Sequence, residues 1–490
     1  MMYSKLRLRG AYLAAALASI NWGSSSAGVN AQCSDYTTFS QTPQGNNSAG
    51  PLALPFMRPS PACRTFNNSA VEQVIEDMKA RLKDPDIARL FENTFPNTLD
   101  TTVKYFNATE NIAFIITGDI TAQWLRDTGN QSRTQARYIS DYPYCGAFQP
   151  PPESGLAPTV NGYATGVTVN PPVDNNTVYE CKVGQMRIFS NDKGLLITLL
   201  RLTAISQIFR VIDEQSQASW DADFNFISYY NWTGGNGALS PAVNNAGNGE
   251  PKGYSGLVGT HHRPSDDLST FECSGVLLPA FLTPANAMLS VELTNLADMM
   301  DSVGEFANIS TLARAASARI ESAIWKTTLD NDVFAYETNG FGSRYIMDDA
   351  NVPSLLSLPY LGFLNKTHPA YVATRKVLLS RQNPYYAKGV NFSGIGGPHE
   401  DAWHIWPMSL ISSIYGTDDD DEITTALYMI ANNTLGLGLI HESINIYNQS
   451  DYTRPWFAWV NSYFAEMLLD LAERKPGLIF NTNESYVIGK

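Results

Sequence analysis

The sequence predicts an all-α fold, a toroid of paired helices around a shared core with long loops at one end building a cleft. Three observations predict it. Apolar residues recur at helical spacing over most of the chain from Ser69 onward, strand-like alternation is scarce, and the helical stretches are separated by long loops rich in charged and aromatic residues. Val71, Val74, Ile75 and Met78 define the first helix, and the same spacing returns over residues 190–213, 284–302, 309–325, 368–380, 405–415, 421–433 and 456–473. Two stretches break the pattern. Residues 142–183 are rich in Pro, Gly and Asn, with Cys145 and Cys181 bracketing most of them, and read as a stapled surface excursion; residues 234–259 read as a Gly- and Asn-rich loop of the kind that covers active sites. No internal repeat is visible. The expected organisation is a signal peptide over residues 1–31, an extended arm rich in Ser, Thr, Pro and Asn over 32–68, and one catalytic domain over 69–490.

The 490 residues and their apolar content suffice for a large core, and the net charge of -14 argues against a nucleic-acid partner, which needs Lys and Arg to neutralise phosphates. At the N-terminus Lys5, Arg7 and Arg9 precede an apolar run over 11–20, and Val29 and Ala31 stand where a signal peptidase would cut. That run is too short to span a bilayer, and no later stretch reaches such a length. The expected location is the secretory lumen or the outside of the cell, with no membrane span. N-x-S/T sequons from Asn46 to Asn483 fit that address. Five cysteines remain after cleavage, none at zinc or redox spacing. The expected pairs are Cys33 with Cys63 and Cys145 with Cys181, leaving Cys273 free, although spacing alone leaves other pairings open.

The chemistry sits in the loops: GDITAQWLRDTGNQ at 118–131, HHRPSDD at 261–267, MDDANVPSLLSLPYLG at 347–362, GIGGPHEDAWHIWPM at 394–408, HES at 441–443 and YTRPWFAWVNS at 452–462. They mix carboxylates with Arg, His and Trp, the groups that bind sugar hydroxyls and sugar C–H faces. Glycoside hydrolysis needs a protonated acid at the leaving oxygen and a second carboxylate acting on water or the anomeric carbon. The loops hold more carboxylates than that, so the residues alone define a candidate set. Two other patterns lead elsewhere. In HEDAWH, His399 and His404 are five apart, whereas a zincin places its histidines four apart on one helical face. The acidic run 418–422 follows Thr417 at the head of a helical pattern, where carboxylates complement the helix dipole, and lacks the spacing of a calcium loop. No metal or cofactor is expected.

The ordered set WLRD, RPSDD, PANAM, MDDANVPSLLSLPYLG, GIG-PH, HES and TRPWFAW-NS resembles glycoside hydrolase family 125 over roughly residues 99–469. The resemblance implies an (α/α)6 barrel, exo-acting α-1,6-mannosidase activity on mannose-containing glycans, inversion of configuration and no metal. Carried over by motif, Asp266 takes the general-acid role and Glu442 the general-base role. Read alone, Asp266 is equally well a helix N-cap, and Glu442 in the short HES is better read as a surface carboxylate. Trp124, Arg126 and Asp127 are expected to line the subsite of the terminal mannose, unless Arg126 and Asp127 form a structural ion pair or Trp124 is packed away. Arg263, Asp267, Asp348, Asp349, His399, His441, Arg454 and Trp456 join them as substrate-binding candidates, with part of the MDDANVP motif serving to shape a turn. The chain departs from the family in an insertion near residues 272–281, which contains Cys273, and at Glu400, where bacterial relatives carry a small polar residue. Two other classes compete: a mannose-glycan-binding protein without turnover, for which two catalytic carboxylates are superfluous, and a sugar lyase or epimerase, which helical toroids also host.

Overall fold

Asn68 and Asp84 start the first two helices of nine residues or more. The Asn68 side chain accepts hydrogen bonds from the backbone N–H groups of Ala70 and Val71 at the head of α1 (Ser69–Arg81), and Asp84 does the same for Asp86 and Ile87 ahead of α2 (Pro85–Thr94), where Pro85 has no N–H to leave unsatisfied. Val71, Val74, Ile75 and Met78 are all buried on one face of α1. The computed structural model describes residues 33–107, 112–121, 125–136, 169–170, 202–227, 231–232, 251–259, 280–304, 306–398 and 400–488.

Among the described residues eight further helices of nine residues or more follow: α3 (Leu125–Ala136), α4 (Leu202–Ser216), α5 (Thr283–Val303), α6 (Ala307–Thr327), α7 (Pro369–Leu378), α8 (Pro407–Tyr415), α9 (Asp420–Ala431) and α10 (Ala458–Arg474). Most fall on the predicted stretches. Gly304 ends α5 in the left-handed conformation at φ 79, and α5 and α6 then pack along each other. At α9, Asp419 accepts from the Glu422 N–H, and Asp420, Asp421 and Glu422 fill the first turn, so the acidic run is a helix start. Helix α10 is buried from Ala458 to Leu468 and packs against α2, α3 and α8, which makes it a central element of the core.

The described residues also contain short antiparallel sheets that the hydropathy pattern did not reveal. β1 (Val103–Asn107) pairs with β2 (Ile112–Ile115); β3 (Phe281–Leu282), β4 (Glu337–Thr338) and β5 (Arg344–Tyr345) form one three-stranded sheet; β6 (His404–Ile405), β7 (Ser443–Asn445) and β8 (Tyr452–Thr453) form another. Strands of two to five residues are too short for an alternation of period two to register. They matter because the last sheet carries the site.

Ser34–Lys490 behaves as one unit. The segment read as an extended arm lies against it. The Tyr36 hydroxyl donates to the Met57 carbonyl at 2.8 Å, and the buried Arg58 guanidinium reaches Asp100 at 2.7 Å and Glu72 at 2.5 Å. Cys33 and Cys63 are both disulfide-bonded, in keeping with the pair expected of them. Residues 1–32, which include the segment read as a signal peptide, the other three cysteines, residues 190–201 and all of the stretch 142–183 except 169–170 lie outside the described residues. Among the described residues no helix is long and apolar enough to cross a membrane.

Candidate active site

Five of the sequence motifs are brought together by backbone hydrogen bonds. The Ala458 N–H donates to the Thr117 carbonyl at 3.0 Å, beside a bridge between Gly118 and Phe457, which ties GDITAQW to TRPWFAW. The Ala350 N–H donates to the Gly396 carbonyl at 2.9 Å, tying MDDANVP to GIGGPH. The β6-β7-β8 sheet then joins GIGGPHEDAWHIW, HES and YTRPW through the pairs His404 with Asn445 and Ser443 with Thr453. Two glycines permit this closeness. A Cβ at Gly396 would lie 2.4 Å from the His404 carbonyl oxygen, and one at Gly118 would lie 3.0 Å from that of Trp456. Gly118→Ala is therefore expected to push the 118–121 loop away from Trp456 and Phe457, lowering kcat/KM about tenfold or more with little change in the helical CD signal.

That sheet presents an ion cluster. Glu442 stands one residue before β7, partly buried, and its Oε2 accepts from Arg454 Nε at 3.0 Å. Arg454 Nη1 also donates to Asp119 in the GDITAQW loop. Burial works against the guanidinium, but Glu442 and Asp119 outweigh it and hold its pKa above the ordinary value. Arg454 adopts φ 43, an uncommon conformation for a non-glycine residue, directly after β8. That turn gives the chain the direction in which the guanidinium lies between the two carboxylates. Among the described residues no hydrogen bond reaches Glu442 Oε1.

Glu400 lies close by. Trp406 Nε1 donates to its Oε2 at 3.1 Å. Burial first, then the charge of Glu442 and more weakly that of Asp349, push its carboxyl up to about 7, while hydrogen bonds from Ser443 and Trp406 pull the other way. The site thus holds one carboxylate matched with a cation and a second carboxyl in surroundings that favour its protonated form.

The remaining candidates sort by what they touch. Asp348 is fully buried, and its oxygens accept from the Leu355 and Leu356 N–H groups at 2.8 and 3.0 Å. Expected to bind sugar, it is instead committed to shaping its own loop, which also contains a cis Val352–Pro353 bond. Asp349 is buried too, with Oδ1 accepting from the Asn351 backbone and side chain. Trp456, expected to offer its ring to substrate, is 2% exposed, packs edge-on to Tyr36 and donates from Nε1 to Asn97 at 3.0 Å. It is core beneath the Arg454 turn. His441 is 1% exposed, its ring stacked 3.9 Å from that of Tyr452, and burial pushes it down to about 4, so it is neutral near pH 7. Asp127 is buried on α3, the helix that packs against α10. Trp124, Arg263, Asp266, Asp267 and His399 lie outside the described residues, as does the Arg126 side chain. Asp119 was missed although it stands inside a motif singled out for its chemistry. Among the described residues no group of three or more His, Cys, Asp or Glu is placed to hold a metal.

A partly buried carboxylate with a fixed countercharge, set among loops rich in Arg, Asp and Trp, supplies one of the two carboxyl groups that a hydrolytic centre of the glycosidase class requires. The chain belongs to glycoside hydrolase family 125, the metal-independent α-mannosidases, whose family profile matches residues 84–134 and 132–469. It is therefore a glycoside hydrolase, as the motif resemblance predicted. The chain is 40% identical over 491 residues to the meiotically up-regulated gene 157 protein of Schizosaccharomyces pombe (strain 972), covering 91% of this chain and 94% of that relative. Its fold is similar to that of a metal-independent α-mannosidase from Streptococcus pneumoniae, captured in a non-productive complex with α-1,6-mannobiose, with a TM-score of 0.65 and 23% identity over 83% of this chain and 99% of that one.

Proposed function

We propose that this chain is an exo-acting, inverting α-mannosidase that removes terminal α-1,6-linked mannose, with Glu442 as general base and Asp266 as general acid. The observation that carries the reading is Glu442: partly buried and anchored through Oε2 by Arg454, with no hydrogen bond to Oε1 among the described residues, which would leave that oxygen to take a proton from water. In an inverting enzyme that water attacks the anomeric carbon from the face opposite the leaving oxygen, so the two carboxyl groups should stand roughly 6.5–9.5 Å apart. Asp266 would protonate the departing oxygen, and Trp124, Arg126, Asp127, Arg263, Asp267 and His399 would bind the terminal sugar. The α-1,6 preference is supported by the mannobiose held in the pneumococcal relative. An (α/α)6 barrel over residues 69–490 fits the succession of paired helices. The N-terminal reading supports a signal peptide over 1–31, and hence mannose-containing glycans of the secretory pathway or the cell surface as substrates.

The direct test incubates purified protein with α-1,2-, α-1,3- and α-1,6-linked mannobiose. Mannose is expected from the α-1,6 link with little from α-1,2. Binding without release of mannose would favour a lectin, and cleavage of mannan into oligosaccharides would remove the exo assignment.

A further inference from the structure

Glu400 has no part in the two-carboxylate reaction, yet it is built into the same corner of the site. It precedes β6 and is anchored by Trp406 Nε1 at 3.1 Å, where the β6–β7 pairing of Ile405 with Ile444 brings this segment alongside the HES motif. Unlike Asp348 and Asp349 it keeps exposed surface, so a ligand can reach it. Among the described residues the charged groups that act on it most are acidic: Glu442 from the segment before β7 and Asp349 from the 347–362 loop. Arg454, the cation of this corner, is engaged by Glu442 and Asp119. Asp401, next in the chain, is turned toward His404 at 4.0 Å. Burial and the neighbouring charge of Glu442 both favour the protonated form of Glu400.

We propose that Glu400 is a third functional carboxyl of the site, working protonated as a hydrogen-bond donor to a hydroxyl of the bound sugar while Glu442 beside it works ionised. This assignment rests on the glycosidase reading above. A protonated carboxyl both donates and accepts, and so can bind a hydroxyl next to the base without adding a second negative charge. Its loss of a proton then replaces the donor with a charge and closes the alkaline side of the activity profile.

The test compares the full-length wild type with Glu400→Gln, which keeps a donor and cannot ionise, and Glu400→Ala, which has neither. Burial raises the Glu400 pKa in the folded chain from the ordinary 4.5 to about 7, so the wild type loses stability as pH rises through that window. Glu400→Gln should therefore raise Tm relative to wild type at about pH 8 and leave the difference small at about pH 5. With α-1,6-mannobiose, Glu400→Gln should retain activity within about tenfold of wild type at slightly acid pH and move the alkaline limb of kcat/KM upward by about one unit or more. Glu400→Ala should lose about tenfold or more, mainly through KM. A Tm difference that is the same at both pH values overturns the protonated state, and an alkaline limb unmoved in Glu400→Gln overturns the donor role. If the wild type releases no mannose from any mannoside, the glycosidase reading and the sugar contact fall together, while the Tm comparison still decides whether the fold holds Glu400 protonated.

Discussion

Glu442→Gln is expected to lower turnover of α-1,6-mannobiose by about 10²–10⁴-fold, and to lower turnover of α-mannosyl fluoride by a similar factor. The base acts on water, and an unactivated water attacks poorly whatever departs from the other face of the ring. Asp266→Asn should behave differently. A general acid matters most for a poor leaving group, so this variant should nearly lose mannobiose cleavage yet keep much more activity on the fluoride, whose departure needs little protonation. Asp267→Asn is the control, with an effect on positioning or binding that is the same for both substrates. If Asp267→Asn carries the leaving-group signature and Asp266→Asn does not, the acid is one residue further along. For Glu442, Arg454 stays paired with Asp119 after the substitution, so Tm should change little and the rate loss can be read as chemistry.

The largest expected loss of stability follows Arg58→Met. Arg58 comes from the N-terminal segment, and its side chain and that of Asp100 are each only 3% exposed. Its Nε reaches Asp100 at 2.7 Å, while Nη1 and Nη2 hold Glu72 at 2.9 and 2.5 Å. Removing the cation leaves Asp100 buried with only Arg64, 3.7 Å away, as a positive neighbour. Breaking a buried pair from one side costs about 3–5 kcal/mol, because the remaining charge has no water to return to. The denaturant midpoint should fall accordingly, and Arg58→Lys should recover part of the loss. Since Glu72 is 41% exposed, Glu72→Gln should cost far less, at most about 1 kcal/mol.

The helices were legible wherever one apolar face is long enough to show a period. Val71, Val74, Ile75 and Met78 mark α1, and the two 21-residue helices α5 and α6 fall almost on their predicted stretches. Helix α3 was not legible, because LRDTGNQSRTQA is polar nearly throughout and its burial depends on α10, far along the chain. The site was legible as a set of motifs but not as an arrangement. Glu442 and Arg454 were singled out, with the role of Glu442 coming from the family resemblance rather than from the residues themselves. Asp119 was overlooked because its partner Arg454 lies 335 residues away. Asp348 and Trp456 were placed on the sugar because their motif is rich in sugar-binding residue types, and sequence does not distinguish a carboxylate facing a cleft from one bonded to its own loop. Glu400 stood out as a departure from the family, but its chemistry needs the nearness of Glu442 and Trp406, which only the fold supplies.

The measurement that bears most directly on the central claim is a proton NMR time course of α-1,6-mannobiose hydrolysis, recorded before the product anomers equilibrate. An inverting mechanism with Glu442 activating water requires β-mannose as the first product from an α-linked substrate, with α-mannose growing in only by mutarotation. Appearance of α-mannose first would mean a covalent intermediate and two carboxyl groups about 5–5.5 Å apart, contradicting the assignment of Glu442 as a base.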